Sequence, residues 1–311
     1  MILPTRRHST APSRAESFIQ EDWARDEEDH SFRGPGAAVS WKGHTPHGFR
    51  RILRPRRHTM KVAVVTGASS GIGQSAALQI ARRGTGVILT YSSNEQGAKD
   101  TVARIEQQGG TAVALHLDLG DTTGFAIFRE TVAEVLRGTF QRDFFDQLVN
   151  NAGFAGMAMI EDTREEEFDR LTDGLFKGPF FLTQALLPLL ADGGAIVNLT
   201  SNSTLPHVTA PGYSVYAALK GAVAVLTRYM AKEFGPRGIR VNSIAPGATV
   251  TRFADDAFSK NPQIIPELAK TFTLGRVGEP DDIGMVIAML VSEEGRWITA
   301  QDIEVSGGQN L

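Results

Sequence analysis

The sequence predicts a doubly wound α/β domain on a parallel sheet, and three observations predict it. From residue 60 onward, short β-branched runs alternate with longer amphipathic stretches, the pattern of repeated βαβ units. The strand-like runs are nearly continuous in apolar character, so both faces of the sheet need cover. A glycine-rich turn, Thr66-Gly67-Ala68-Ser69-Ser70-Gly71-Ile72-Gly73, falls where the first strand hands over to the first helix. The result is a Rossmann-type single domain, with ligands expected at the carboxyl ends of its strands.

Each element has its own signal. Strands are expected at 62–66, 87–91, 112–117, 145–149, 195–200, 240–245 and 302–305, where β-branched and apolar residues run together. A helix over 72–83 stops at Gly84. A second begins after Asn94 as N-cap and ends near Gly109-Gly110. A third runs over 165–190, bent before Pro188 because proline removes a donor, with Glu165-Glu166-Glu167 as favourable charge at its start. A fourth spans 213–234 and is ended by Gly235 and Pro236.

The chain has 311 residues, 41% of them hydrophobic, enough for one good-sized core. A net charge of -3 argues against a nucleic-acid partner. No apolar run reaches about 18 residues, which argues against a membrane span. The lack of cysteine excludes disulfides and thiolate metal sites and suits a reducing, cytoplasmic setting. Charge is uneven, however. Residues 1–59 carry 11 Lys+Arg against 7 Asp+Glu, and the rest is net acidic. That opening segment has no periodicity and reads as a disordered extension, with Met60 as the natural start of the domain. A docking arm using Arg50, Arg51, Arg54, Arg56 and Arg57 is the alternative.

In the glycine-rich turn, Gly67 permits a tight turn, Gly71 a close approach of backbone to a pyrophosphate, and Gly73 close packing of helix on sheet. The helix N-terminus adds unpaired N–H groups and about half a positive charge. The second strand ends in Thr90-Tyr91-Ser92-Ser93-Asn94, with no acid to receive ribose hydroxyls and repel a 2′-phosphate. NADP is therefore favoured, with NAD possible.

Tyr216 and Lys220 lie four residues apart, on one face of a helix. A cation about 4 Å from a phenol is worth about 4 kcal/mol at an effective dielectric of 20, enough to lower its pKa from about 10 towards the useful range. The hydroxyl cluster Thr200-Ser201-Asn202-Ser203 ends the preceding strand, where a serine can hydrogen-bond a substrate oxygen. Ser201 is favoured for that role, and Ser203 competes. The chemistry such a set can perform is proton donation beside a hydride acceptor.

These residues resemble the short-chain dehydrogenase/reductase family over essentially all of 60–311. The matching pieces are the turn at 66–73, Asp118, Asn150-Asn151-Ala152-Gly153, Ser201, Tyr216-x3-Lys220, Pro246-Gly247-x3-Thr251 and the ending Glu304-Val305-Ser306-Gly307-Gly308. The resemblance implies an NAD(P)-dependent oxidoreductase with catalytic Ser201, Tyr216 and Lys220. It implies a cofactor site of Gly67, Ser69, Ser70, Gly71, Ile72, Gly73, Tyr91, Ser92, Ser93, Asp118, Leu119, Asn151, Ala152, Gly153, Tyr216, Lys220, Pro246, Gly247, Thr249 and Thr251. In that reading Asp118 contacts adenine, Lys220 binds the nicotinamide ribose, and the turn at 246–251 holds the carboxamide. It also implies a homotetramer or homodimer paired through the helices at 165–190 and 213–234.

Two departures stand out. Leu175 occupies the position where family members commonly carry an asparagine that anchors a relay water, and Ser201 is farther from Tyr216 than the family serine usually is. A cofactor-binding sensor with little turnover and a reductase of 3-oxoacyl chains, using Arg252 or Arg276, are therefore alternatives to an NADP-preferring carbonyl–alcohol oxidoreductase. His116 is expected to be a packed core histidine. His207 is read as an ordinary loop residue with substrate contact as its rival, and no metal site is expected. Phe154, Met157, Phe253 and Phe258 are candidates for an apolar substrate wall, with ordinary packing as the equal alternative.

Overall fold

A computed structural model describes residues 60–311, and the expectations for 1–59 lie outside the described residues. Seven strands form one parallel sheet in the order β3-β2-β1-β4-β5-β6-β7. They are β1 (Val62–Val65), β2 (Gly86–Tyr91), β3 (Ala112–His116), β4 (Phe145–Asn150), β5 (Leu190–Leu199), β6 (Arg240–Pro246) and β7 (Asp302–Val305). The order reverses between β1 and β4, which opens a crevice above their carboxyl ends. Every strand expected from the sequence is present. β5 begins earlier than its apolar run, with a register shift against β4 between Phe145 and Gln147.

The helices are α1 (Gly71–Ala81), α2 (Glu95–Gln107), α3 (Phe125–Thr139), α4 (Glu165–Thr172), α5 (Gly178–Leu186), α6 (Ser214–Phe234), α7 (Phe253–Lys260), α8 (Ile264–Ala269) and α9 (Pro280–Val291). Two buried clusters cover the two faces of the sheet. One joins Ala63, Val65, Leu89 and Val197 to Ile80 of α1 and Ile287 of α9. The other joins Val62, Val64, Leu148 and Ile196 to Leu136 of α3, Leu182 of α5 and Met230 of α6. Side chains alternate between these clusters along β1, as a two-residue period demands.

Three expectations need correction. The helix over 165–190 is interrupted by a π turn at Asp173–Lys177, between α4 and α5, well before Pro188. The extra residue in that turn brings Leu175 to the inside, where it is buried. α3, α7, α8 and α9 were not anticipated, although Phe125, Phe128, Val132 and Leu136 carry a helical repeat that α3 buries. His116 is exposed, because β3 is the edge strand and its last residue clears the sheet; its ring meets Tyr91 edge-on at 5.7 Å.

Candidate active site

The glycine-rich turn is fixed by sterics. Gly67 and Gly71 hold φ of +63° and +58°, a region that side chains disfavour. A methyl on Gly67 would lie 2.7 Å from the Ala152 Cα, and one on Gly73 would run into the Gly67 carbonyl and the Asn151 side chain. Thr66 ties the two strands on either side of the crevice. Its Oγ1 accepts from the backbone N–H groups of Asn151 and Ala152 at 3.0 Å each. The Asn151 Nδ2 donates back to the carbonyls of Thr66 and Gly67 at 2.8 and 3.1 Å. Ser70 caps α1 without a side-chain bond, and no acid lies in the first turn, so the N-terminal N–H groups face the crevice uncompensated. This glycine-lined concavity with free donors fits the pyrophosphate of a dinucleotide.

The rest of the expected cofactor set surrounds that turn. Thr90, just before Tyr91, receives the Gly67 N–H at its Oγ1, at 3.2 Å. Ser92 and Ser93 are exposed at the end of β2, and no carboxylate precedes Glu95, which pairs with Lys99 at 2.8 Å. Asp118 is exposed, with Leu119 half-buried beside it, and its carboxylate accepts the Gly120 N–H at 2.8 Å. Pro246 and Gly247 end β6. The Thr249 Oγ1 donates to the Gly247 carbonyl at 2.9 Å, and Thr251 lies across Gly71, 3.2 Å from where a methyl there would sit. Gln309 was not anticipated. Its Oε1 accepts from Asn202 Nδ2 and from Ala248 N, at 3.0 and 3.1 Å, joining the serine cluster to the loop after β6. The Gly307-Gly308 pair just before it is the sequence signal that could have pointed there; both residues hold positive φ and turn the chain.

Tyr216 and Lys220 sit on the buried face of α6, with the Nζ 5.8 Å from the centre of the Tyr216 ring. Leu171 and Leu175 pack against the tyrosine, and Tyr213 and Phe253 flank its ring at 6.3 and 6.0 Å. Of the two competing serines, Ser201 is hydrogen-bonded to the Tyr216 phenol. Ser203 donates from its own hydroxyl to Ser201 Oγ at 2.9 Å.

The electrostatics differ from the expectation. Burial pushes the Tyr216 phenol up to about 12; the Ser201 hydrogen bond pulls the other way and is outweighed. Burial likewise pushes Lys220 down to about 8. Its ammonium does not reach the phenol, because it donates to the Leu199 carbonyl at 2.7 Å. The expected lowering of the tyrosine by the lysine is therefore overturned: desolvation dominates where the spacing argument considered only charge.

Beside this cluster lies a cavity of about 300 Å³ lined by Met159, Ile160, Glu161, Ser203, Thr209, Pro211 and Tyr213 among others. Among the residues proposed as an apolar wall, Phe253 touches Tyr216, whereas Phe154 packs under Arg170 at 4.2 Å. Met157 lies against the backbone of Gly212, which lines the cavity, and Phe258 is half-buried on α7. His207 turns towards Glu304, at 3.5 Å, in keeping with an ordinary loop histidine. Arg276 is held by Asp282 through contacts of 2.6 and 2.8 Å, and Arg252 is largely exposed. Among the described residues no group of three or more His, Asp or Glu is placed to hold a metal, and no helix is long and apolar enough to cross a membrane.

A family profile described as enoyl-(acyl carrier protein) reductase matches residues 67–310. An uncharacterized oxidoreductase of Methylorubrum extorquens is 38% identical over 248 residues, covering 80% of this chain and 97% of that protein. A probable tetrahydroxynaphthalene reductase of Zymoseptoria tritici is 32% identical, covering 79% and 93%. Among solved structures, the angucycline C-6 ketoreductase LanV with bound NADP is 36% identical, covers 80% of this chain and 95% of that one, and superposes with a TM-score of 0.75. The chain belongs to the short-chain dehydrogenase/reductase family. It is an NAD(P)-dependent oxidoreductase acting between carbonyl and alcohol.

Proposed function

We propose that the chain is an NADP-preferring ketone reductase with Tyr216 as proton donor, Ser201 as the hydrogen bond to the substrate oxygen, and Lys220 as the cation beside them. The observation that carries this reading is the Tyr216–Ser201 hydrogen bond on the helix face shared with Lys220. When bound, the dinucleotide supplies the hydride, and the glycine-lined turn, Thr66 and the α1 N-terminus are the residues that hold it. A phenol held near 12 keeps its proton at neutral pH, which suits donation to a developing alkoxide and hence reduction. Ser201 Oγ already accepts from Ser203, so its own proton is left for the phenol or the substrate oxygen. Leu175 and Phe253 keep water from the Tyr216 ring.

For the substrate we propose a flat, hydroxylated aromatic ketone. The cavity offers the broad apolar surfaces of Met159, Ile160, Pro211 and Tyr213 with Glu161, Ser203 and Thr209 to receive hydroxyls. The similarity to a tetrahydroxynaphthalene reductase favours the same class. NADP is favoured by the serines at the end of β2, where a carboxylate would repel a 2′-phosphate. Kinetics on hydroxylated naphthalenones and on aliphatic 3-oxo thioesters, each with NADPH and NADH, test both choices. We expect a preference of about tenfold or more for the aromatic ketone and for NADPH. Faster turnover of the thioesters would reverse the substrate reading, and a tenfold preference for NADH would reverse the cofactor reading.

We further propose a cytoplasmic homodimer or homotetramer paired through α4, α5 and α6. Phe168 of α4, Phe180 and Phe181 of α5, and Val225 and Tyr229 of α6 are exposed large apolar residues, which favours an interaction surface on these helices. Light scattering giving the mass of one chain would overturn this.

A further inference from the structure

One side chain of the C-terminal tail touches both halves of the crevice. Gln309 is buried, and its Oε1 accepts from Asn202 Nδ2 at 3.0 Å and from Ala248 N at 3.1 Å. A backbone N–H can only donate, so Ala248 fixes which end of the Gln309 amide faces it, and that oxygen in turn fixes Asn202 to present its nitrogen. The two donors belong to different parts of the site. Asn202 opens the short turn Asn202–Thr204 that Ser201 caps, with Ser201 Oγ accepting from Ser203 N at 3.2 Å. Ala248 lies in the loop after β6, which reaches the glycine-rich turn where Thr251 crosses Gly71. That loop is fastened on its far side, where Gly278 N donates to Ala248 O at 3.1 Å. Gly247 allows the close approach of loop and tail: a methyl there would lie 2.8 Å from Ser306 Cα and 3.0 Å from Gln309 Oε1.

We propose that Gln309 is a positioning residue that couples the loop after β6 to Ser201, so that a dinucleotide held against that loop also sets the place of the serine hydroxyl. Asn202 Nδ2 and Ala248 N are both donors and cannot bond each other, so the oxygen between them is what joins the two segments. A shift of the loop moves the Gln309 oxygen, the oxygen moves Asn202, and Asn202 carries the turn that Ser201 caps. Coupling of this kind is reciprocal: whatever steadies the serine turn also favours the dinucleotide-bound loop. The tail does not need the Gln309 side chain to stay in place. Asn310 N donates to Thr271 O at 2.7 Å, and Thr273 N and Leu274 N donate to the carbonyls of Gly308 and Gly307 at 3.1 Å each. The inference rests on the role given to Ser201 above.

The test uses Gln309→Met and Asn202→Ala in the full chain. Gln309→Met removes the shared oxygen and leaves two donors unpaired, so its folding is at greater risk. Asn202→Ala cuts the link on the serine side alone and keeps the bond between Gln309 and Ala248. Amide hydrogen exchange with and without NADPH gives a readout that does not depend on turnover. In the wild type, NADPH should slow exchange in 246–251 and also at Ser203 and Thr204, whose N–H groups bond to Ser201 Oγ and O. In Asn202→Ala the slowing should persist in 246–251 and fall about tenfold at Ser203 and Thr204, the factor that one net hydrogen bond carries. No slowing at Ser203 and Thr204 in the wild type, or the same slowing in Asn202→Ala, overturns the proposal. Kinetics supply the second arm: Asn202→Ala should lower kcat about tenfold, and should have no further effect in a Ser201→Ala background. A tenfold loss in both backgrounds would mean that Asn202 acts without Ser201, which also overturns it. Should the chain reduce no ketone, the reductase reading fails, and the exchange measurement still decides the coupling.

Discussion

The turn between β1 and α1 and the segment from the end of β5 into α6 face each other across the same crevice, but different forces hold them in shape. At the turn, shape comes from what glycine lacks. Side chains at Gly67 or Gly73 would collide with Ala152 or with the turn itself, and the free N–H groups of α1 follow from the backbone path. At α6, function depends on what the side chains possess and on how deeply they are buried. Tyr216 and Lys220 have their proton affinities moved in opposite directions by the same loss of water. A backbone site can be read from local sequence. An electrostatic site has to be read from its surroundings.

The contrast breaks most directly at Tyr216. Tyr216→Phe keeps the ring, its packing on Leu171 and Leu175 and its contacts with Tyr213 and Phe253, and removes only the hydroxyl. Turnover should fall about 10³-fold, within the range for loss of a general acid, while NADPH affinity by fluorescence titration stays unchanged. Turnover at the wild-type level would remove the tyrosine from the mechanism.

The two serines sharpen the comparison within the catalytic segment. Ser201→Ala should lower kcat by about 10²-fold, as for a lost hydrogen bond to a developing oxyanion. Ser203→Ala, which frees one lone pair of Ser201 and removes one polar group from the cavity wall, should cost less than about tenfold in kcat. The reverse order would make Ser203 the working hydroxyl. On the other side of the crevice, Gly73→Ala should reduce NADPH affinity about tenfold and spare the chemical step measured at saturating cofactor, because it displaces the turn and leaves α6 alone. A selective loss of kcat instead would erase the distinction between the two regions.

What was legible in the sequence follows the same division. The strands, the Asn94 cap and the glycine turn were readable because each rests on local periodicity or on sterics. The π turn was not, since Asp173–Lys177 keeps an acceptable helical pattern and its extra residue shows only in which side chain faces inward. His116 looked buried because its neighbours are apolar, and only the strand order put β3 at the edge. The spacing of Tyr216 and Lys220 was correct, but the direction of the phenol's shift was not. That direction depends on the Leu171–Leu175 wall and on Leu199 O, residues 21 or more positions from Lys220.

Lys220 gives the smallest free-energy effect on stability, and the most discriminating, because its sign changes with pH. Its pKa is about 8 folded against 10.5 for the ordinary group, so burial disfavours the cation and the native state carries a penalty wherever the side chain is charged. The difference corresponds to about 3 kcal/mol at neutral pH. Lys220→Met relieves it but leaves the Leu199 carbonyl without its donor, which costs about 2 kcal/mol. A net gain of about 1 kcal/mol is expected near pH 7, together with loss of activity. Between about pH 8 and 10.5 the unfolded lysine binds more proton than the native one, so wild-type stability rises across that window while this contribution is absent from the variant. The advantage of Lys220→Met should therefore shrink from about pH 8 and reverse by about pH 10, as read from urea unfolding at both ends. A variant that is less stable at neutral pH and stays so at every pH would mean that the lysine is well solvated in the native state, and that depth of burial does not set the chemistry of α6.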